Sequence, residues 1–263
     1  MVLFLEDSWV WKQSSESYYN TIAIDFDHEL SSPSLGYSRN AFINLILQVA
    51  YLCGILSRES RQYFEDVSGS WDALRSGFYG DEVRDVVLAA ARLLPEHTVL
   101  DVGAGTGFLA EWAAKIARKV IALDFSEAML SEARAKLGGR NVEFKIGNVE
   151  QIPLPNASID SVISNMVLHH CQRPEIAVKE MARVLVPGGR LVISDLQEHS
   201  HESLRKEHAD LWMGLKMDYV QMTLQKAGLD DVSVDALSSC CSETKENGQI
   251  TIPMFLAAGH KCW

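Results

Sequence analysis

The run HTVLDVGAGTGFLAEWAAK sets Asp101, Gly103, Gly105 and Gly107 between an apolar stretch and a helix-forming one. Glycines let backbone approach a ligand closely, and a helix start favours negative charge. The dinucleotide fingerprint GxGxxG needs its third glycine at position 108, which is Phe108. The spacing here is GxGxG, with an acid two positions before the first glycine. That acid opposes a pyrophosphate and suits a ligand carrying an ammonium. A nicotinamide-dependent oxidoreductase is therefore the weaker reading.

Three further segments end in residues of matching chemistry. VIALDFS closes on Asp124, whose carboxylate can accept hydrogen bonds from both hydroxyls of a ribose. In FKIGNVEQIPLP, Asn148 and Val149 are placed to meet the edge and face of an adenine, with Phe125 and Met129 covering its other side. ASIDSVISNMVLHH delivers Asn165 to His170 to the same rim. Ligands of open α/β sheets bind at the C-terminal ends of their strands, so these tips should converge.

The elements that must position them follow from an alternating pattern after residue 80. Helices are expected at Glu82–Leu94, Phe108–Ala117, Glu127–Leu137 and in PEIAVKEMARVL. Strands are expected at Thr98–Val102, Lys119–Asp124, Val142–Ile146, Ile159–Ser164 and Arg190–Asp195. Strands alternating with helices of this length imply βαβ units and a mostly parallel sheet covered on both faces. The rhythm then changes to helix (Tyr219–Ala227), strand (Val232–Ala236), polar loop and strand (Ile250–Ala258), which suggests an antiparallel edge.

Before residue 80 the text is different. A strand is conceivable near Thr21–Phe26, and Ala41–Leu56 is a helix apolar nearly all round, to be buried within the fold or in a homodimer. Ser60–Gly80 reads as a helical linker with exposed aromatics Tyr63, Phe64, Trp71, Phe78 and Tyr79. The division expected is an N-terminal extension and cap over residues 1–80 and a catalytic domain over 81–263.

The chain has 263 residues, 47% hydrophobic and 22% charged, enough for a sizeable core. With 24 basic against 35 acidic residues the net charge is -11, which repels phosphate backbones and anionic lipid, so neither nucleic acid nor membrane is an expected partner. Five cysteines without a CxxC spacing suggest neither a disulfide framework nor a zinc knuckle. Glu6 and Asp7 interrupt the first apolar residues, so no leader is expected, and the location expected is cytoplasmic.

The stretches VLDVGAGTG, IALDFSEAMLSEAR, GNVEQIPLP, DSVISNMVLHH and RVLVPGGRLVISD together resemble class I S-adenosylmethionine-dependent methyltransferases, nearest the branch of ubiquinone/menaquinone-biosynthesis and arsenite methyltransferases. The resemblance implies a Rossmann-like, doubly wound α/β fold with a seven-stranded sheet, and methyl transfer from S-adenosylmethionine to a small-molecule acceptor. It implies a cofactor site at Asp101, Gly103, Gly105, Asp124, Asn148, Val149 and Asn165, to which Thr106, Phe125, Met129 and Glu150 are added as neighbours. Similar proteins usually carry Asp where Asn148 stands, so that contact loses its charge assistance. YFEDVSGSWDALRSGFYG resembles the helical cap of these enzymes, making Tyr63, Trp71, Arg75 and Tyr79 candidate pocket residues, Tyr79 also a catalytic one. Plain packing of an amphipathic helix is the competing reading.

His170 at the fourth strand tip is a candidate general base, or a cap of a neighbouring helix. No HExxH spacing joins His169, His170, His199, His201 and His208, so no metal site is expected. Cys171, Cys240 and Cys241 could hold a trivalent metalloid, against the simpler reading of incidental thiols. Asp195, Glu198, Glu202 and Glu207 read as a solvated face. A non-catalytic cofactor-binding scaffold is the remaining rival.

Overall fold

The computed structural model of the chain describes residues 60–202, 208–245 and 248–262, with backbone alone at 239–240, 243–245 and 248–249. The expected elements at Thr21–Phe26 and Ala41–Leu56 lie outside these residues, as do Glu207 and the side chain of Cys240.

Helical residues 60–67 and a 3-10 turn (Ser68–Ser70) lead into α1 (Trp71–Phe78) and α2 (Glu82–Ala91). The alternation then runs β1 (Thr98–Val102), α3 (Ala110–Ala113), β2 (Lys119–Asp124), α4 (Glu127–Leu137), β3 (Val142–Ile146), β4 (Ile159–Asn165), α5 (Pro174–Val184) and β5 (Leu185–Leu196). It closes with α6 (Met217–Lys226), β6 (Leu229–Lys245) and β7 (Gly248–Lys261). The bounds of β1, β2, β3 and α4 coincide with those expected.

Seven strands form one sheet in the order β3-β2-β1-β4-β5-β7-β6. Pairings from β3 to β5 are parallel, while β7 is antiparallel to both β5 and β6. The reversed strand thus sits between β5 and the outermost β6. Side chains alternate across the sheet with the two-residue period of a strand. Leu100, Ile121, Val162 and Leu191 face a core closed by Met181 of α5 and Leu224 of α6. Val99, Val120, Ile163 and Val192 face the other, closed by Val87 of α2 and Ala113 of α3. Helices on both faces of a parallel sheet make the α/β doubly wound architecture.

α2 ends earlier than expected, at Ala91, and β5, β6 and β7 run longer; two further differences are larger. The helix expected at Phe108–Ala117 narrows to Ala110–Ala113, because no side chain caps its start and its end tightens into Lys115 N→Trp112 O (3.1 Å) and Ile116 N→Ala113 O (3.0 Å) turns. The stretch expected as a polar loop is largely β-hairpin, with Cys240↔Pro253 through Lys245↔Gly248 in register. Main-chain pairing forms that ladder, and an outermost strand can keep polar side chains in water.

Candidate active site

At the tip of β1, Asp101 is in register with Ala122 of β2 and Ile163 of β4, and it is 1% exposed. The chain leaves the strand through Gly103 and Gly105 at φ +66° and +53°, a region side chains rarely enter. A Cβ at Gly103 would also overlap the Val167 side chain. The turn is clamped by Ala104 N–H on Leu123 O (3.0 Å) and by Gly105 N–H on Asp124 Oδ2 (2.8 Å). Asp124 Oδ1 accepts from Ser126 N (2.9 Å), and Ser126 caps α4 by accepting from Met129 N (3.3 Å). Burial raises the Asp124 carboxyl above its usual range, opposed by the N–H groups of Ser126, Gly105 and Phe125.

A cavity of about 530 Å³ opens over this turn. Its walls bring together Trp71, Tyr79, Asp101, Gly103, Gly105, Asp124, Phe125, Met129, Asn148, Val149, Glu150, Asn165 and His170 from the cap and four strand tips. Two expected residues are elsewhere. Thr106 is buried and donates to Asp72 Oδ1 of α1 (2.5 Å), tying cap to turn, and Tyr63 lines a second, smaller cavity. Asp72 also pairs with Lys136 of α4. Both Glu150 carboxylate oxygens already accept from Arg173, at 3.0 Å each. Asn148 Oδ1 accepts from Glu150 N (2.9 Å), which leaves its amide to donate.

Two buried atoms in this cavity lack hydrogen-bond partners among the described residues: Asp101 Oδ2 and Arg75 Nε. Buried polar groups are seldom left unpaired in folded proteins. One carboxylate and one guanidinium suit the two charged ends of an amino acid. Asp124 at the second strand tip suits a ribose. The residues present therefore fit S-adenosylmethionine, whose amino-acid end and nucleoside match these groups. Asp124→Ala should weaken its binding roughly 10- to 150-fold, the cost of about 1.5–3 kcal/mol for losing hydrogen bonds to a charged group. Calorimetry on both proteins checks this, and an unchanged affinity would take Asp124 out of the site.

The smaller cavity, about 50 Å³, shares Phe64, Trp71, Tyr79, Met166 and His170 with the larger one. The aromatics of the cap, expected to be exposed, instead face these cavities. Phe64 and Tyr79 are buried, and Phe64 meets Trp71, Phe125 and His170 edge to face at 5.4, 5.9 and 5.0 Å. A pattern of aromatic and polar residues does not reveal which way a short helix turns, and burial of apolar rings decides it.

Tyr79 oxygen accepts from Asn165 Nδ2 (2.9 Å), whose Oδ1 accepts from Ser194 Oγ (2.7 Å). Burial pushes the Tyr79 phenol well up, so it acts as a hydrogen-bond donor and not as a base. His170 is held well below the ordinary histidine range by burial and by neighbouring His169, and is neutral at pH 7.

Asp195 does not belong to a solvated face. It is 0% exposed, and its carboxylate accepts from Val167 N (3.1 Å), Leu168 N (2.7 Å), Leu196 N (2.7 Å) and His169 Nδ1 (2.5 Å). Glu198 and Glu202 are exposed as expected. Asp195 differs because it directly follows Ser194, which is in register with Asn165, in the interior of the sheet. Burial alone would lower His169, but the Asp195 and Asp210 carboxylates outweigh it and lift the imidazole to about 9. This group was not recognised from the sequence. The signal was available in VISD, an acid at the tip of the strand beside HH, once β4 and β5 are taken as neighbours.

Cys171 donates to Val167 O (3.4 Å) on the larger cavity, and burial raises its thiol well above the usual range. Cys241 lines the smaller cavity.

Residues 100–193 match the methyltransferase domain family. The chain is 31% identical over 149 residues to malonyl-[acyl-carrier protein] O-methyltransferase of Serratia marcescens, covering 57% of this chain and 55% of that one. It is 39% identical over 114 residues to arsenite methyltransferase of Halobacterium salinarum, covering 41% and 29%. The chain thus spans about half the length of the first curated relatives it matches. A solved chain in the complex of the Haloferax volcanii Trm112 methyltransferase activator with a methyltransferase shares the fold, with TM-score 0.68, 19% identity and coverage of 77% of this chain and 97% of that one. Among the described residues no helix is long and apolar enough to cross a membrane. Residues 100–193 thus carry the methyltransferase domain of the class I S-adenosylmethionine-dependent methyltransferases, and S-adenosylmethionine is the cofactor this family implies.

Proposed function

We propose that the protein methylates a small, largely apolar acceptor that presents one hydroxyl to the polar corner of the smaller cavity. The observation that supports this reading is the wall of Phe64, Trp71, Tyr79, Met166 and His170 shared by the smaller and the larger cavity, which we read as acceptor side and cofactor side. The cofactor supplies a methyl group already activated by a positive sulfur, so positioning and exclusion of water are the protein's main tasks.

Asp101, Arg75 and Asp124 hold the two ends of the cofactor. Trp71, Phe64 and Phe125 close over it and keep water out. Ile250, Ile252 and Leu196 line the acceptor side with apolar surface, against which His169, His170 and Asp210 are the polar corner. Neutral His170, 13% exposed and lining both cavities, is placed to accept the acceptor's proton. Tyr79 donates a hydrogen bond at the shared wall. Residues 60–79 serve as cap in this reading, with the catalytic domain beginning near residue 81.

The arsenite reading has less support. A metalloid site needs thiolates, and Cys171 is a buried thiol that resists ionisation. Purified protein should release S-adenosylhomocysteine with small, largely apolar hydroxylated acceptors and not with arsenite, charged amines or free carboxylates. Turnover confined to arsenite, or to a charged acceptor, would overturn the assignment. Binding of the cofactor with no turnover across all classes would favour a scaffold.

A further inference from the structure

On the wall of the smaller cavity, three ligating atoms converge from two parts of the chain, the adjacent His169 and His170 and the distant Asp210. His169 Nε2 lies 3.5 Å from Asp210 Oδ1, and His170 Nδ1 lies 3.7 Å from the same oxygen and 3.4 Å from Ala209 O, so an ion would bind with the ring proton of His170 moved from Nδ1 to Nε2. One ligand atom from each of the three residues lies within 4.8 Å of those from the other two, and the side chains of His169 and Asp210 are almost wholly buried. These separations are long for hydrogen bonds and near the ~3.4 Å between two ligands of a tetrahedral ion bonded at about 2.1 Å. We propose that His169 Nε2, His170 Nδ1 and Asp210 Oδ1 form a site for one divalent transition-metal ion of the zinc type.

Three features support it beyond proximity. Asp195 holds His169 by Nδ1 at 2.5 Å, which turns Nε2 toward Asp210, and an outer carboxylate on the far ring nitrogen is the usual support of a metal-bound histidine. Asp195 is itself fixed by three backbone N–H groups. Two imidazoles and one carboxylate are also a donor set for borderline ions and leave a coordination position open. All three ligands line the cavity, so that position faces the acceptor side. An acceptor hydroxyl bound there would be acidified by the ion and lose its proton to solvent water, its O–H electron pair staying on its oxygen; with the ion bound, this takes the place of His170 as base. This use of the ion rests on the acceptor assignment above, whereas the binding of the ion does not.

The test titrates the full chain, stripped with a chelator, with cobalt(II) and then zinc, read by visible absorption and calorimetry. One equivalent of cobalt should bind with ligand-field bands and without a thiolate charge-transfer band, and zinc should displace it. His170→Gln and Asp210→Asn should each weaken binding at least about tenfold. Asp210→Asn should keep the wild-type affinity for S-adenosylmethionine, since Asp210 lines the acceptor cavity alone. Circular dichroism identifies a variant that fails to fold, in which case the other variant and the wild-type spectrum decide. No stoichiometric binding by the wild type, undiminished binding in the folded variants, or a thiolate band implicating Cys241 would each overturn the site. Intact cobalt binding with no hydroxylated acceptor turned over would instead remove the proposed function and leave the metal site standing.

Discussion

Asp195→Ala is expected to cost the protein about 3–5 kcal/mol of stability, the range for breaking a buried ion pair by removing one partner. The substitution strands the His169 imidazolium, whose next carboxylate, Asp210, is 3.5 Å away. It also takes the acceptor from three backbone N–H groups, those of Val167 and Leu168 in the Asn165–His170 segment and that of Leu196 in β5. Asp195→Asn keeps one accepting oxygen and should cost less. The pH dependence separates this from mere loss of packing. In the chelator-stripped, metal-free chain His169 is raised to about 9 against an ordinary 6.5, so its contribution is fully present below about pH 6.5 and lost as pH rises through about 9. The wild type should therefore lose stability on the alkaline side, and Asp195→Ala should be flatter there. Urea unfolding at about pH 6 and about pH 10 reads the difference. Equal losses at both would show that His169 carries no proton in the fold.

The strand tips were legible in the sequence because two independent patterns agree there. Alternating apolar residues such as Val99/Leu100 and Val120/Ile121 must straddle a two-faced sheet, and each run ends in a residue of a different kind, Asp101 or Asp124. The cofactor side followed from that. The acceptor side did not, because its residues are brought together only by tertiary packing. Asp195 and Asp210 are fifteen and more residues from each other and from His170, and no periodicity links them. The inward turn of Phe64 and Tyr79 likewise depends on the cap being pinned by Thr106 and Lys136 to Asp72, contacts between segments far apart in the chain. The hairpin from Cys240 to Pro253 escaped for a different reason: its ladder is made by main chain, to which the side-chain pattern is blind.

Affinity for S-adenosylmethionine is expected to rise about tenfold per pH unit from about pH 6 to about pH 8, and to turn over above that. The cause is Asp101. Burial pushes its carboxyl up to about 8, and the charge of Asp124 adds to this, while the backbone N–H of Ala110 opposes both. In the cofactor-free protein near pH 6 the carboxyl is therefore protonated. An ammonium beside Oδ2 requires it ionised, so binding must expel that proton, and each lower pH unit costs about 1.4 kcal/mol. Above about pH 8 the ligand's own α-ammonium begins to lose its proton, which reverses the trend. Calorimetry in buffers of different ionisation enthalpy should count close to one proton released on binding near pH 6 and few near pH 8. Asp101→Asn should bind more weakly at pH 8, and its affinity should be level between pH 6 and 8, with no proton released. The same group acts on stability in the opposite sense. Its folded pKa lies above the unfolded one, so its contribution is present below about pH 4 and is lost as pH rises through about 8. Bound cofactor restores a partner to the charge, and the rise in melting temperature it causes should be larger at pH 8 than at pH 6. A thermal shift equal at the two pH values in the wild type would mean that Asp101 is already ionised before the ligand arrives, and that the ammonium is held by another group.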